Sequence, residues 1–500
     1  MTGGLRPRPR RSARIRGGVA LPGLLACLAL SGCAALLRPF DRAPSGLSRW
    51  DQSVRDELVA GRFDSALALA GPDRADAGDD LLRLEYEGIL AHYAGMPDRS
   101  RAALGAASQL AEDRYTRSLS RTLLSFFTGD RTRAYDPPLV DRLFLHYYGA
   151  LDYLATGDDE DAAVEARRLE QRLALAGDES EDPGERGLAA AMHAFAGTVF
   201  EAAGRSGEAA VSYRLARRAA GDTTRDEGST PVPAAEARPA PVGEGTRPSV
   251  DEGTVVVVLE RGFVAHRVER SLTLLLWPGE LTALRTAASG DVSARRRGDT
   301  VADDVARRSL GLVPVSDGPG PGHGEGSDPY LLRVAWPTYA AGRVPDARIR
   351  LLAPGVGSDS LIATELGVAD VSTAVRSDFA RQAPGILART LVRAVAKRVA
   401  VEAVKKTASR KDETLGEIVG LAANVTSALL EQADTRGLDL LPARVRLVRV
   451  RVPAGRHRLH LEVLEPGRPR PRSLDLGVVH VEAGRVVVVP VRIWEGGRAR

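Results

Sequence analysis

Histidine, cysteine and acidic residues are the side chains from which a catalytic or metal-binding site would be built, and their spacing here forms no such site. The 500-residue chain contains eight histidines: His92, His146, His193, His266, His323, His457, His460 and His480. None forms the His-x-x-x-His pair that binds zinc on one face of a helix. Nucleophile, phosphate-loop and dinucleotide motifs are absent as well. The sequence therefore predicts no catalytic residue, metal or cofactor, although folding could still pair two of its 65 acids for glycan cleavage.

One thiol, that of Cys33, has a distinctive setting. Six arginines and no acid precede a short apolar run over residues 19–30, which leads into Ser31-Gly32-Cys33. A basic start, a short apolar core and small residues at the exit are typical of a secretory signal peptide (1–32) and too short to span a bilayer comfortably. The alternative is an ordinary cysteine at the end of a buried helix or of an uncleaved anchor.

The tetrapeptide that ends at Cys33 resembles the lipobox of bacterial lipoproteins. This resemblance implies cleavage after residue 32 and diacylation of the Cys33 thiol, and several acyl chains would hold the protein firmly on a membrane. Alanines follow Cys33 where an inner-membrane retention signal would carry aspartate, which favours the outer membrane, facing the periplasm.

Charge is divided unevenly along the chain. The formal charge of +4 becomes −2 when residues 1–32 are removed, so the main support for nucleic-acid binding disappears. Residues 33–222 carry a net charge of −9 and residues 223–500 a net charge of +7. This asymmetry either docks the two halves on each other or reflects solvated faces.

Residues 50–220, after a short tether over 33–49, are predicted to form helical hairpin repeats. The clearest unit fits the tetratricopeptide repeat (TPR) pattern, in which a small residue stands where two helices touch and an aromatic residue fills the notch beside it. The residues assigned to this packing, in this unit and in weaker copies, are Gly88, Ala150, Tyr153, Ala162, Gly197, Phe200, Ala209, Tyr213 and Ala216. Such stacks bind a peptide or protein on their concave face, or merely support the rest of the chain.

The remainder of the chain is predicted to be a flexible linker followed by a mixed region. Pro, Gly, Thr and Glu dominate the linker, 221–253. The mixed region divides into a β-rich part over 254–368, with a mobile insertion at 285–328, a helical segment over 369–434 and a β-meander over 435–500. The meander forms either a small terminal β-sandwich or a sheet that finishes the domain begun at Thr254. The fold class is therefore α+β and multi-domain. An N-terminal α-helical TPR-like solenoid precedes a C-terminal α/β domain with mainly antiparallel strands and two long helices.

Three charged groups have a chemical interpretation beside a structural one. The acids at 158–161 could bind a metal or cap a helix. The arginines at 295–297 could contact anionic lipid or nucleic acid or simply be solvated. Arg389, Arg393 and Lys397 form a basic stripe that could lie on a membrane or form the solvent side of a packed helix.

Several stretches together resemble an uncharacterised family of TPR-containing bacterial lipoproteins. Besides the lipobox they are 146–154, 163–168, 255–259, 384–389 with Lys397, 433–436, 441–442 and 452–457. The chain departs from the family at Leu438, where members usually carry tryptophan. The resemblance implies an architecture and a location, and no defined activity.

These features predict a membrane-anchored periplasmic lipoprotein that acts as a non-enzymatic protein–protein interaction scaffold in the cell envelope. Its partner is expected to be an envelope protein bound at the helical repeats, and nucleic acid is not expected to bind. The alternatives are a regulator of peptidoglycan synthesis, a component of a secretion or surface assembly and, from another class, a glycan-acting hydrolase. The sequence leaves the partner and the oligomeric state open.

Overall fold

The computed structural model of the protein describes two groups of chain segments, here called the helical half and the C-terminal half. The helical half comprises 46–70, 79–118, 134–176 and 180–221. The C-terminal half comprises 251–289, 292–312, 330–340, 342, 344–354, 363–409 and 433–494. The predicted signal peptide, Cys33, most of the tether and nearly all of the linker lie outside the described residues.

The helical half consists of α-helices that follow one another through short turns. They are α1 (Arg49–Val59), α2 (Phe63–Leu69), α3 (Asp80–Tyr93), α4 (Pro97–Ser118), α5 (Leu139–Thr156), α6 (Asp159–Ala176), α7 (Pro183–Ala202) and α8 (Ser206–Ala220). Side chains before several helices accept the first free N–H groups, as Asp182 does from Gly184 and Glu185. Gly157, at φ +80°, ends α5 in the left-handed conformation that favours glycine.

The C-terminal half alternates strands with three helices. In chain order it contains β1 (Glu252–Arg261), β2 (Arg267–Leu276), α9 (Pro278–Ser289), α10 (Val292–Ser309), β3 (Tyr330–Tyr339), β4 (Arg348–Leu352), β5 (Ala363–Asp370), α11 (Val371–Ser409), β6 (Arg444–Pro453), β7 (Gly455–Leu464), β8 (Arg472–Val481) and β9 (Val486–Ile493). The strands form a sheet in the order β5-β6-β1-β9, a two-stranded sheet β2-β3 and a sheet in the order β4-β7-β8. The described chain is therefore a mixed α+β protein, as predicted.

Strand β1 lies inside the four-stranded sheet and is covered on both faces. It pairs with β6 in antiparallel and with β9 in parallel orientation. Val256 and Val258 belong to the core shared with the helical half, whereas Val255, Val257 and Leu259 pack in the core formed with β4, β7 and β8. This double burial explains the continuous apolar run from which the strand was predicted.

The predicted mobile insertion at 285–328 is wrong where the structure describes it. Residues up to 289 complete α9, and α10 follows from 292 to 309. Ala302 and Val305 of α10 are fully buried against β2, β3 and α11 in a third core. The helix is polar except for this narrow apolar stripe, so its composition resembled that of a loop.

Three further features of the C-terminal half differ from the predictions: the course of α11, the pairing of the last strands and the start of β1. Helix α11 runs through Pro384 without the expected break, because its apolar face, which includes Leu387 and Leu391, packs on the third core. The second predicted helix of the 369–434 segment lies almost wholly outside the described residues. The last four strands do not form one meander, since β7 and β8 pair in another sheet. Strands β6 and β9 join β1, in agreement with the alternative that they finish the domain begun at Thr254. Strand β1 also begins at 252, within the predicted linker.

Candidate functional site

The residues assigned to helix packing lie between neighbouring helices. A Cβ atom on Gly88 would lie 2.5 Å from Cδ2 of Leu104, and one on Gly197 would lie 2.8 Å from the Tyr213 ring. Ala150, Ala162, Phe200, Ala209, Tyr213 and Ala216 are buried. Tyr153 is half-buried beneath the guanidinium of Arg101, 4.5 Å from its ring centroid. Small residues thus allow α3 to approach α4 and α7 to approach α8.

One side of the helical half is covered by the C-terminal half, through helices α1, α3, α5 and α7. Arg55 of α1 donates to the Asp439 carbonyl oxygen at 2.6 Å, and Tyr93 of α3 donates to Glu260 at 2.8 Å. On α7, Ala191 lies against Gly367, where a Cβ would stand 2.9 Å from the Ala191 Cα. The face that these alternate helices present is therefore occupied by the protein's own chain.

The other helices carry the exposed large apolar side chains described in this half. Leu69 lies at the end of α2, Met96 just before α4, Val164 and Leu175 on α6, and Val211 on α8. Leu175 is 80% exposed. The exposed apolar groups are thus found on α2, α4, α6 and α8 or beside them, and not on α1, α3, α5 and α7, whose side chains form most of the contact with the C-terminal half.

Residues 433–441, here called the docked segment, precede β6 and lie across α1, α3 and α5 without helix or strand. Leu438, Leu440 and Leu441 are buried in the core shared with the helices. The Asp439 N–H donates to the Tyr86 hydroxyl at 3.4 Å, and Tyr86 donates to Asp51 at 2.9 Å. The segment is thus held partly through its backbone, as an extended peptide would be.

Beneath the docked segment lies a buried group of acids, here called the carboxylate cluster: Asp79, Glu85, Asp141 and Asp439. Asp79 precedes α3, Glu85 lies on α3 and Asp141 on α5, whereas Asp439 comes from the docked segment itself. All four residues are buried. Three members therefore come from the helical half, and the fourth joins them only when the two halves are assembled.

Glu85 is the most unusual member of the cluster because it is fully buried and neither carboxyl oxygen has a hydrogen-bond partner. Burial, and then the neighbouring Asp141 and Asp79, raise the pKa of Glu85 well above its ordinary value. The Glu85 carboxyl is consequently held in its neutral, protonated form.

Burial also raises the pKa of two other members of the cluster, Asp141 and Asp439. It raises the pKa of Asp141 to about 6, against the hydrogen bond that the Tyr135 hydroxyl donates to it at 2.5 Å. Burial, and then Asp51, raise the pKa of Asp439 to about 8. Near neutral pH the cluster therefore holds at least one proton that an exposed aspartate would have lost.

Arginine side chains surround the cluster, and two of them pair with Asp79. Arg114 donates to Asp79 at 2.6 Å, and Arg436 lies 3.7 Å from the same carboxylate. Arg267 lowers the pKa of both Asp141 and Asp439 by its charge, while its Nε donates to the Tyr339 hydroxyl at 3.3 Å.

A second cluster of buried polar side chains connects α3 and α5 with the four-stranded sheet. Tyr93 donates to Glu260, and the Tyr93 and Tyr148 hydroxyls lie 2.8 Å apart. Arg492 lies 3.7 Å from the Glu260 carboxylate and stacks over Trp494, 4.3 Å from a ring centroid. Burial raises the pKa of Tyr93 well above its ordinary value, so this tyrosine stays neutral.

Three of the eight histidines form pairs with acids between helices. Nδ1 of His92 lies 2.7 Å from Asp152, Nδ1 of His146 lies 2.7 Å from Glu165, and Nδ1 of His193 lies 2.7 Å from Glu170. Each pair connects two different helices, which is a packing role. The sequence did not indicate these pairs, since the partners are 19 to 60 residues apart.

Within the part of the chain that the structure describes, no group of three or more His, Cys, Asp or Glu residues could hold a metal ion. The acids at 159–161 occupy the first turn of α6, and Asp159 and Glu160 pair with arginines. None of the described helices is both long and apolar enough to cross a membrane.

Comparisons of the chain with protein-family models, with curated proteins and with solved structures find no match.

Proposed function

We propose that the protein is a lipid-anchored, non-enzymatic scaffold of the bacterial cell envelope that binds a protein partner through its helical half. In this proposal Cys33 carries the lipid at the outer membrane, and the described residues project into the periplasm. The anchor is supported by the sequence before and around Cys33, which lies outside the described residues.

A TPR-like stack is supported by the local packing of the helical hairpins. Gly88 and Gly197 stand where a side chain would collide with Leu104 and with Tyr213, as the repeat pattern requires. Proteins built in this way commonly offer one helical face to another chain.

The distribution of exposed apolar side chains is the observation that carries the proposal. Leu69, Met96, Val164, Leu175 and Val211 lie on or beside α2, α4, α6 and α8, while the alternate helices are covered by the C-terminal half. Exposed apolar side chains leave water when a partner protein covers them, which favours association. We therefore propose that the partner binds along α2, α4, α6 and α8, and not on the face that the C-terminal half covers.

The burial of the carboxylate cluster supports a role other than glycan hydrolysis. A hydrolase needs two carboxyl groups in contact with the sugar, on either side of the scissile bond. Glu85 and Asp141 are covered by the docked segment and by helices, so no sugar reaches them in this conformation.

Site-specific photo-crosslinking in cells tests where the partner binds. A photoreactive amino acid is placed at Leu175 or at Val211, and at Val478 as a control of similar exposure in the C-terminal half. Crosslinks from Leu175 or Val211 to a small set of envelope proteins, absent from Val478, support the proposal. A peptidoglycan synthase in that set would specify a regulator of peptidoglycan synthesis. Identical proteins at all three positions, or none at any, would overturn it.

The anchor is tested separately by the mass of the N-terminal peptide. The native chain is expected to yield a diacylated peptide that begins at Cys33, and Cys33→Ser is expected to yield none and to leave the membrane fraction. An unmodified Cys33 peptide from membranes would contradict the lipid anchor and leave the crosslinking result unaffected.

A further inference from the structure

The carboxylate cluster stands between the helices and a segment that connects two parts of the C-terminal half. Asp439 belongs to the docked segment, whereas its acidic neighbours Asp51 and Asp141 belong to α1 and α5. The Leu438 N–H also donates to Asp141. Any change of charge in the cluster therefore acts directly on the contact between the segment and the helices.

The charged groups around the cluster come from every element packed on it. On the helices they are Asp51 and Arg55 (α1), Glu85 (α3), Arg114 (α4), Asp141 and Arg142 (α5) and Asp378 (α11). Asp79 precedes α3, Tyr135 precedes α5, and Arg267 lies on β2. The docked segment contributes Asp434, Arg436 and Asp439. Several of these are matched in pairs: Asp79 with Arg114, Asp434 with Arg436, Asp378 with Arg381, and Arg142 with Asp136.

The remaining groups of this set are mostly acids. Asp141 faces the guanidinium of Arg267, and Asp439 faces those of Arg55 and Arg267. Both arginines also donate to uncharged oxygens. Glu85 faces Arg142 and Arg114, which are already paired with Asp136 and Asp79. Full ionisation would place unbalanced negative charge in a site closed to water, which is strongly unfavourable. The unpartnered oxygens of Glu85 indicate the same conclusion, because an ionised carboxylate would need donors there.

We propose that the carboxylate cluster is a proton-dependent latch: the docked segment stays on α1, α3 and α5 while the buried carboxyl groups keep their protons, and their loss of protons in alkaline solution releases it. The latch is independent of the proposed scaffold function and would operate whatever partner the protein binds.

The direction of the pH dependence follows from which state holds the protons. Docking gives Asp439 a pKa of about 8, against an ordinary value of 3.8, so the docked state keeps a proton that the open state loses. The preference for docking is full below about pH 4 and declines as the pH rises to about 8. For this one group, the opening equilibrium increases on the order of 100-fold between pH 6 and pH 9.

Hydrogen exchange of the full-length protein in detergent, read by mass spectrometry at pH 6 and pH 9, tests the latch. After correction for the intrinsic rate, protection of amides 436–441 is expected to fall at least tenfold at pH 9, while amides of β1 and β6 keep theirs. In Asp439→Asn, whose amide carries no charge, the fall is expected to be at least halved on a logarithmic scale.

Two further variants serve as a substitute for Asp439→Asn and as a control. Glu85→Gln provides a second neutral replacement if Asp439→Asn does not fold. Asp136→Asn removes an exposed carboxylate, 78% accessible, next to the cluster and is expected to behave like the native chain. Unchanged protection in the native chain, or an equal loss in the native chain and both neutral variants, would overturn the latch.

Discussion

At the scale of single residues, Glu85 and Asp141 show how differently two buried acids of one cluster are accommodated. Asp141 accepts a hydrogen bond from Tyr135 and another from the Leu438 N–H. Glu85 has no hydrogen-bond partner on either oxygen and is neutralised by a proton instead. A carboxyl group in this state contributes little to stability, since it was removed from water without a compensating bond.

We expect Glu85→Leu to keep or raise the free energy of unfolding at pH 7.5, by up to about 2 kcal/mol, because it removes an unpartnered buried polar group. Asp141→Leu is the matched contrast, since it leaves the buried Tyr135 hydroxyl without its acceptor and should cost about 1–3 kcal/mol. Urea denaturation measures both. A loss for Glu85→Leu as large as that for Asp141→Leu would show that Glu85 has a bonding role in the fold.

The sequence contained part of the signal for this cluster. Glu85 lies four residues after Leu81 and four before Ile89, so it falls on the apolar face of α3, where an acid is unexpected. Asp439, in contrast, is more than 350 residues away and lies in a segment without periodicity. Its neighbours become evident only when the tertiary fold is known.

At the scale of elements, α7 and α8 show how one small residue affects contacts beyond its own helix pair. Gly197 leaves room for the Tyr213 ring. The Tyr213 hydroxyl donates to Glu201 at 2.8 Å and accepts from Arg449 of β6 at 2.6 Å. Helix packing in the helical half thereby positions a contact with the sheet.

We expect Gly197→Ala to destabilise the protein by about 1–3 kcal/mol, because the added Cβ would displace the Tyr213 ring. The control is Gly105→Ala on α4, where a Cβ meets nothing within 4 Å. That change should be stabilising by up to about 1 kcal/mol, since alanine favours helix. Thermal denaturation of both variants tests the packing, and a neutral Gly197→Ala would contradict it.

The elements predicted from the sequence are those whose signal is local. The helices of residues 50–220 and the apolar strand after 253 were recognisable because their burial repeats within a few residues. The meander was wrong because alternation identifies a strand but not its partner, and β9 pairs in parallel with β1. The loop-like insertion was wrong because only a narrow stripe of α10 is apolar, and tertiary packing stabilises it.

At the scale of the whole molecule, the uneven charge of the chain is used where the two halves meet. Glu185 pairs with Arg381 at 3.1 Å and Asp159 with Arg485 at 3.2 Å, and Glu201 pairs with Arg449. Asp79 pairs with Arg436. In each of these pairs the acid comes from the helical half and the arginine from the C-terminal half, which favours the docking interpretation of the charge asymmetry over solvated faces.

A charge-reversal cycle tests whether this complementarity stabilises the assembled chain. We expect Arg449→Glu and Glu201→Arg each to be destabilising and the double variant to recover part of the loss, with a coupling of about 0.5–3 kcal/mol. The cycle for the exposed pair Arg458–Asp475, inside the C-terminal half, should show a much smaller coupling. Equal coupling in both cycles, measured by urea denaturation, would argue against a special role of the interface.

The position of β1 also determines the order in which this protein can fold. Thr254 of β1 pairs with Val486 of β9, more than 200 residues later in the chain. Pairings this distant close slowly, because the loss of chain entropy precedes any gain from the contact. Until the last strand arrives, one edge of β1 presents free N–H and C=O groups to any neighbouring chain. Truncation before Val486 therefore leaves an open, valine-rich edge at the centre of the fold and favours aggregation.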